Sequence, residues 1–220
     1  MKITYEEIRK NQEINAYIRK GNANLGVIGY TEHASAHTAL VGKRAYDILM
    51  ALGYSEDECT LARIAGYMHD MGNTVNRKNH AEYGAIIADR ILTGMGMDID
   101  DKITIVSAIG NHDESTGGAV DPVSAALIIA DKTDVRRNRV REQEHTDFDI
   151  HDRVNYAVTG NKLETDNEKG IISLYLEVDE SICTMYEYFD IFLQRMLMSK
   201  RAAEFLGCRF ILMVNGTKIL

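Results

Sequence analysis

Apolar residues recur every three to four positions through most of the first 160 residues, a period that predicts amphipathic helices packed on one another. Thr4 followed by Glu7 is a capping-box pattern opening a first helix, which the glycine-rich GNANLGVIGY stretch is expected to end. Thr31 is the expected cap of the next helix, whose stripe of Leu40, Val41, Ile48, Leu49 and Leu52 stops at Gly53. Ser55 with Glu58 repeats the capping pattern and launches a helix through Leu61, Ile64, Ala65 and Met68 towards His69, with Gly72 as its stop. Further helices are predicted near 79–93, 100–111 and 121–141, the last with Asp121 as cap and Pro122 at the first helical position. The period changes after NKLETDNEKG, residues 161–170, which reads as a polar linker. IISLYLEVD alternates as a strand, with Ile172, Leu174, Leu176 and Val178 on one face. A helix is expected from about 181 to 206, ended by Gly207, with Tyr186, Phe189, Phe192 and Leu193 against the strands. CRFILMV reads as a second strand, and Asn215–Gly216 is a two-residue hairpin signal before TKIL. The expected fold is mainly α: a helical domain over residues 1–160 and a small C-terminal βαββ, α+β appendage over 161–220.

Composition narrows the class. A chain of 220 residues with 45% hydrophobic content can bury one good-sized core. A formal charge of -8 argues against general binding to nucleic acid or to anionic membranes, both of which need excess Lys and Arg. Cys59, Cys183 and Cys208 show no CxxC spacing, so neither a disulfide framework nor a thiolate zinc site is suggested. The charged amino terminus has no apolar signal region, and no run approaches the roughly 20 apolar residues of a membrane span. A soluble, cytoplasmic protein is the expectation.

The candidate chemistry begins with a His–Asp dipeptide that occurs three times. His151–Asp152, in the polar HTDFDIHDRVN, reads as a solvated helix start. His69–Asp70 ends the apolar ARIAGYM, where an unpaired aspartate costs several kcal/mol, roughly, before relaxation. No Lys or Arg lies between Ile64 and Asn76, so a metal cation is an economical partner. His37, His80, His112 (the third pair, with Asp113) and Asp131 each sit on or beside an apolar helix and could join it.

These residues, with the words HTALVGKRA, GYMHDMGN, HAEYGAIIA and IIADKTD, resemble the HD-domain metal-dependent phosphohydrolases over about residues 30–140. The resemblance implies an HD-type helical bundle and a ligand set of His37, His69, Asp70, His80, His112 and Asp131. The two additional histidines make the chain similar to dinuclear members, which include the HD-GYP phosphodiesterases. The GYP signature is absent, so cyclic dinucleotide cleavage is not favoured. The implied cofactors are two divalent ions drawn from Mn, Fe, Zn, Ni or Co. One would take His37, His69 and Asp131, the other His80 and His112, with Asp70 bridging and water activated for attack at phosphorus. The implied substrate is a nucleotide or small phosphorylated metabolite. An HD-type mixed-valent di-iron oxygenase and a non-catalytic, metal-dependent regulatory or assembly module are the alternative readings. Around the ligands, His33 is a candidate for touching substrate phosphate or metal-bound water, and Lys132 for binding phosphate. Many family members carry Lys where this chain has Asn73, and Arg77 or Lys78 is the candidate replacement. Arg136, Arg137, Arg139 and Arg141 are expected on a solvated helix end, and Glu114 in an exposed loop. An open strand edge or helix face suggests a homodimer.

Overall fold

The structure is a computed structural model that describes residues 2–30, 35–141 and 150–220, the side chains of Ile150 and His151 excepted. Thr31, His33, Asp147, Asp149 and the His151 side chain therefore lie outside the described residues.

The first helical stretch is two helices. α1 (Tyr5–Lys10) has the Thr4/Glu7 capping box. Asn11 then takes extended backbone and accepts from the Glu13 and Ile14 N–H groups, starting α2 (Gln12–Val27). The glycine-rich segment ends the helix as expected, but only in its second half: α2 runs through Gly21 and Gly26 and stops at Val27, with Gly29 in the left-handed region. Gly21 lies inside α2, where an added Cβ would come within 3.3 Å of Asn73 and Thr74, so close packing explains that glycine. α3 (Ser35–Ala51) and α4 (Glu56–Met68, with the Ser55/Glu58 capping box) come next. His69–Thr74 forms a 3-10 turn rather than a clean stop. α5 (His80–Gly94), α6 (Ile99–Gly110) and α7 (Pro122–Lys132) complete the main bundle. α7 has Asp121 as cap but stops at Lys132, well short of 141. Thr133 turns its hydroxyl back to the Ile129 carbonyl (2.6 Å), and the arginines beyond it lie in irregular chain with one 3-10 turn, Arg137–Arg139. Arg136 Nη2 bonds Asp134, Arg137 Nε donates to the Tyr156 carbonyl, and Arg139 is buried. The arginine cluster is thus not a solvated helix end, contrary to expectation.

After α8 (Ile150–Ala157) come β1 (Val158–Asp166), β2 (Ile171–Val178), α9 (Met185–Phe205), β3 (Arg209–Val214) and β4 (Thr217–Lys218). The sheet order is β1-β2-β3-β4: two antiparallel hairpins joined by a parallel β2–β3 pair across α9. The unit is ββαββ, not βαββ, because most of the supposed linker is strand β1. As an edge strand with most side chains partly or wholly exposed, β1 carries polar residues and hides its period. α9 buries Tyr188, Phe192, Met196, Ser199 and Ala203 at helical spacing; of the four residues expected on this face, Phe192 is buried and Phe189 packs against the core, but the other two are not. Tyr186 is 79% exposed and Leu193 43%. One apolar cluster runs from Ile8 and Leu49 through Met68 and Leu127 to Leu174 and Leu212. No helix of the described residues is long and apolar enough to cross a membrane.

Two glycines set the crossing of α3, which carries His37, and α4, which leads into His69. A Cβ on Gly66 of α4 would lie 2.6 Å from Gly42 Cα of α3, and one on Gly42 would lie 2.6 Å from the Arg63 carbonyl oxygen. Backbone touches backbone there, five residues after His37 and three before His69. Because the obstacle is main chain, it cannot swing aside. Gly66→Ala is expected to cost about 1–3 kcal/mol or more by overpacking, read as a lower urea midpoint at unchanged m-value. An unshifted midpoint would show that the helices can separate freely.

Candidate metal centre

The end of α4, the 3-10 turn, the starts of α3 and α5, the end of α6 and the end of α7 converge on one buried point. His37, His69, Asp70, His80, His112 and Asp131 are all buried there. Three groups of potential ligand atoms lie close enough to share an ion: His37, His69 and Asp70; His69, His112 and Asp131; Asp70, His80 and His112. The two oxygens of Asp70 face different partners. Oδ2 lies 3.5 Å from His37 Nε2 and 3.3 Å from His69 Nε2, whereas Oδ1 lies 3.9 Å from His80 Nε2. Asp131 Oδ1 sits on the first side, 3.5 Å from His37 Nε2 and 3.6 Å from His69 Nε2.

The imidazoles are turned inward by their outer nitrogens. His69 Nδ1 donates to the Gly66 carbonyl (2.8 Å), His80 Nδ1 to the Arg77 carbonyl (3.1 Å) and His112 Nδ1 to the Ile109 carbonyl (2.6 Å), each three residues back. For His69 and His112 these are carbonyls of a helix's last turn, which lack intrahelical donors and are open to a side chain. A carbonyl can only accept, so Nδ1 carries the proton and Nε2 offers a lone pair to the centre. His37 Nδ1 bonds Asp134 Oδ2 at 2.7 Å, a carboxylate–imidazole pair that orients the ring in the same way.

This arrangement fits divalent cations on its own evidence. His80 Nε2 and His112 Nε2 stand 3.2 Å apart. With both Nδ1 atoms protonated, two lone pairs face each other, which a shared cation would resolve. Burial, and then the Arg77 charge, lower the pKa of His80; burial, and then the neighbouring His69, push His112 well down, which favours the neutral, ligand-ready form of both rings. The buried His69 Nε2 has no hydrogen-bond partner among the described residues. The donor set, imidazole and carboxylate without thiolate, suits Mn, Fe, Zn, Ni or Co.

The surroundings join residues named from the sequence to Asp134, Arg44 and Asn161, which the sequence does not single out. Asp134, fully buried, sits 3.8 Å from Arg44 Nη1 and 3.0 Å from Arg136 Nη2, and Arg139 Nη1 donates to its carbonyl at 2.8 Å. Burial pushes its carboxyl up, but the His37 bond and the Arg139 charge hold it well below the usual range. Asn161 of β1 donates to the carbonyls of Thr133 (2.8 Å) and Val135 (2.9 Å), clamping the chain on either side of Asp134. Asn73, where many of the resembling proteins carry Lys, donates to Asp70 Oδ1 (2.8 Å) and steadies the carboxylate. Arg77 Nη1 reaches Asn73 Oδ1 at 3.4 Å, whereas Lys78 is exposed. Lys132 is buried with its ammonium 2.8 Å from Asp131 Oδ2 and 2.6 Å from Glu114 Oε2, so Glu114 is an ion-pair partner and not a free loop acid. Asp134 lies within the word IIADKTD, three residues past Asp131, and that spacing is the signal that could have found it; nothing in the sequence marks Asn161 or the burial of Arg139.

The family model for the HD domain matches residues 35–155. The chain belongs to the HD-domain family. Within the curated proteins, this HD-domain chain is 27% identical over 163 residues to an uncharacterized protein, MJ1020, of Methanocaldococcus jannaschii. That match covers 64% of the chain and 62% of the relative, so the chain spans less than two thirds of the relative's length. Among solved structures it is similar to a predicted HD superfamily hydrolase from an uncultured Thermotogales bacterium, at 26% identity and a TM-score of 0.44, over 57% of this chain and 68% of that one.

On the first side of the cage the carboxylates favour protonated imidazole. Burial pushes His69 down, but the Asp70 and Asp131 carboxylates outweigh it and raise the ring to about 10. Burial and Arg139 likewise press His37 down, yet Asp131, Asp134 and Asp70 raise it. A raised imidazole pKa means a bound proton below it, which a cation must displace. Loading Mn or Zn at pH 7.5 is therefore expected to release about one proton or more, the first from His69, with affinity rising as pH climbs towards 10. Calorimetry in buffers of different ionisation enthalpy reads the number; binding without proton release would contradict the cage.

Proposed function

We propose that the protein is a metal-dependent phosphohydrolase that cleaves a phosphoester or phosphoanhydride of a nucleotide or small phosphorylated metabolite. The observation that carries the reading is Asp70, whose two carboxylate oxygens face separate sets of imidazole Nε2 atoms within one buried cage. In the proposal His37, His69 and Asp131 would hold one ion and His80 and His112 the other, with Asp70 offering one carboxylate oxygen towards each set. Divalent cations there supply Lewis acidity towards phosphoryl oxygens and bring the pKa of water near neutrality.

The chain's own residues supply the rest. The buried setting strengthens every charge interaction in the cage, and the backbone-locked rings need no reorganisation on binding. Asn73 keeps Asp70 from rotating out of its spanning position. Lys132 is assigned to balancing Asp131 rather than to phosphate, because two carboxylates already occupy its ammonium. Arg77 is the candidate for the substrate's phosphoryl oxygens. It is half-buried beside His80 and makes no ion pair with a carboxylate among the described residues.

The test is phosphate release from a panel of nucleotides and sugar phosphates, with metal content measured first. The expected result is Mn-dependent turnover that falls to background in Asp70→Ala. A charge-assisted hydrogen bond is worth about 1.5–3 kcal/mol, so Arg77→Ala should raise KM about tenfold or more with a smaller change in kcat. No turnover with any of the five metals, together with dioxygen consumption by the reduced iron form, would overturn the hydrolase reading in favour of oxygenase chemistry.

A further inference from the structure

Lys132 and Glu114 lead away from the cage to a part of the molecule that contributes no ligand. Asp131 divides its oxygens: Oδ1 faces His37 and His69 at 3.5 and 3.6 Å, and Oδ2 takes the Lys132 ammonium at 2.8 Å. The same ammonium lies 2.6 Å from Glu114 Oε2, in the loop between α6 and α7. Glu114 Oε1 is 3.5 Å from Arg195 Nε, on α9. The order is Arg195, Glu114, Lys132, Asp131: cation, anion, cation, anion, ending on a candidate ligand. α9 packs along α7, the helix that carries Asp131 and Lys132, and the Arg195 guanidinium rests 5.1 Å from the Phe192 ring, which steadies it.

The alternation has a physical consequence. Asp131 donates to a cation only as well as its negative charge is left to it, and an unshared ammonium at 2.8 Å would draw that charge away. Glu114 shares the ammonium and returns donor strength to Asp131. Glu114 sits in a loop and is partly exposed, so it could turn to water instead. Arg195 opposes that turn.

We propose that Arg195 is a positioning residue for the metal centre, acting through Glu114 and Lys132 on the Asp131 carboxylate, so that the C-terminal ββαββ unit forms part of that centre. The inference rests on the reading of the cage as a metal site, and its test separates the two. Full-length wild type, R195Q, R195K and E114Q are loaded with Co(II). Affinity is measured by chelator competition, the site by its visible d–d absorption, and folding by melting of the metal-free forms. The expected result is that R195Q and E114Q weaken Co(II) binding about tenfold and shift the absorption bands, while R195K restores both towards wild type. Should R195Q fail to melt cooperatively, E114Q, which leaves α9 untouched, decides. Wild-type affinity and spectrum in both R195Q and E114Q would overturn the proposal. So would a loss in R195Q that R195K does not recover, because that would mark packing and not charge. Failure of wild type itself to bind Co(II) would overturn the metal reading beneath it.

Discussion

Buried negative charge must be compensated where it stands, and most of this molecule's architecture can be traced to that demand. Asp70, Asp131 and Asp134 are gathered in one buried region, where each uncompensated carboxylate would cost several kcal/mol, roughly. Asp134 is answered by Arg44, Arg136, Arg139 and His37, and Asp131 by Lys132. Asp70 is answered by imidazoles and the Asn73 amide, with no Lys or Arg within salt-bridge distance among the described side chains. The same demand explains why α7 ends at Lys132: the chain turns there to bring arginines back onto Asp134.

Placement depends on close backbone packing as much as on charge. The Gly42–Gly66 contact brings α3 and α4 together just where His37 and His69 project. Gly72 does the same for the 3-10 turn and α5, since a Cβ on it would meet the His80 carbonyl oxygen at 1.9 Å. Three of the four rings are then fixed by one local device, an Nδ1–H bonded to the carbonyl three residues back. Helix ends supply the acceptor for His69 and His112, and the loop before α5 supplies it for His80, so these three rings are oriented by local chain geometry.

The helical body is legible in the sequence because its signals are local: caps at Thr4, Ser55 and Asp121 and apolar stripes at helical spacing all stand where the pattern puts them. The convergence of the six cage residues is legible too, since imidazoles and carboxylates on apolar helices are anomalous without a shared partner. What escapes is decided by tertiary contact. β1 is an edge strand whose exposed face hides its alternation, Gly21 reads as a breaker but serves as a contact surface, and Tyr186 and Leu193 are apolar residues turned to solvent. Arg139, Asn161 and Arg195 look like ordinary surface polar residues, and only their neighbours in space give them partners. Glu114 reads as a loop acid for the same reason.

His37 and its partner Asp134 are separated by 97 positions along the chain. Loop closure over such a span costs entropy that only the finished fold repays. A nascent chain that has emerged only as far as the loop after α6 carries all four imidazoles but neither Asp131 nor Asp134, and so lacks one of the two carboxylates that would hold an ion. The complete donor set is accordingly a property of the finished bundle, and a cation held by Asp131 together with His37 and His69 would tie the first third of the polypeptide to its middle as a non-covalent staple.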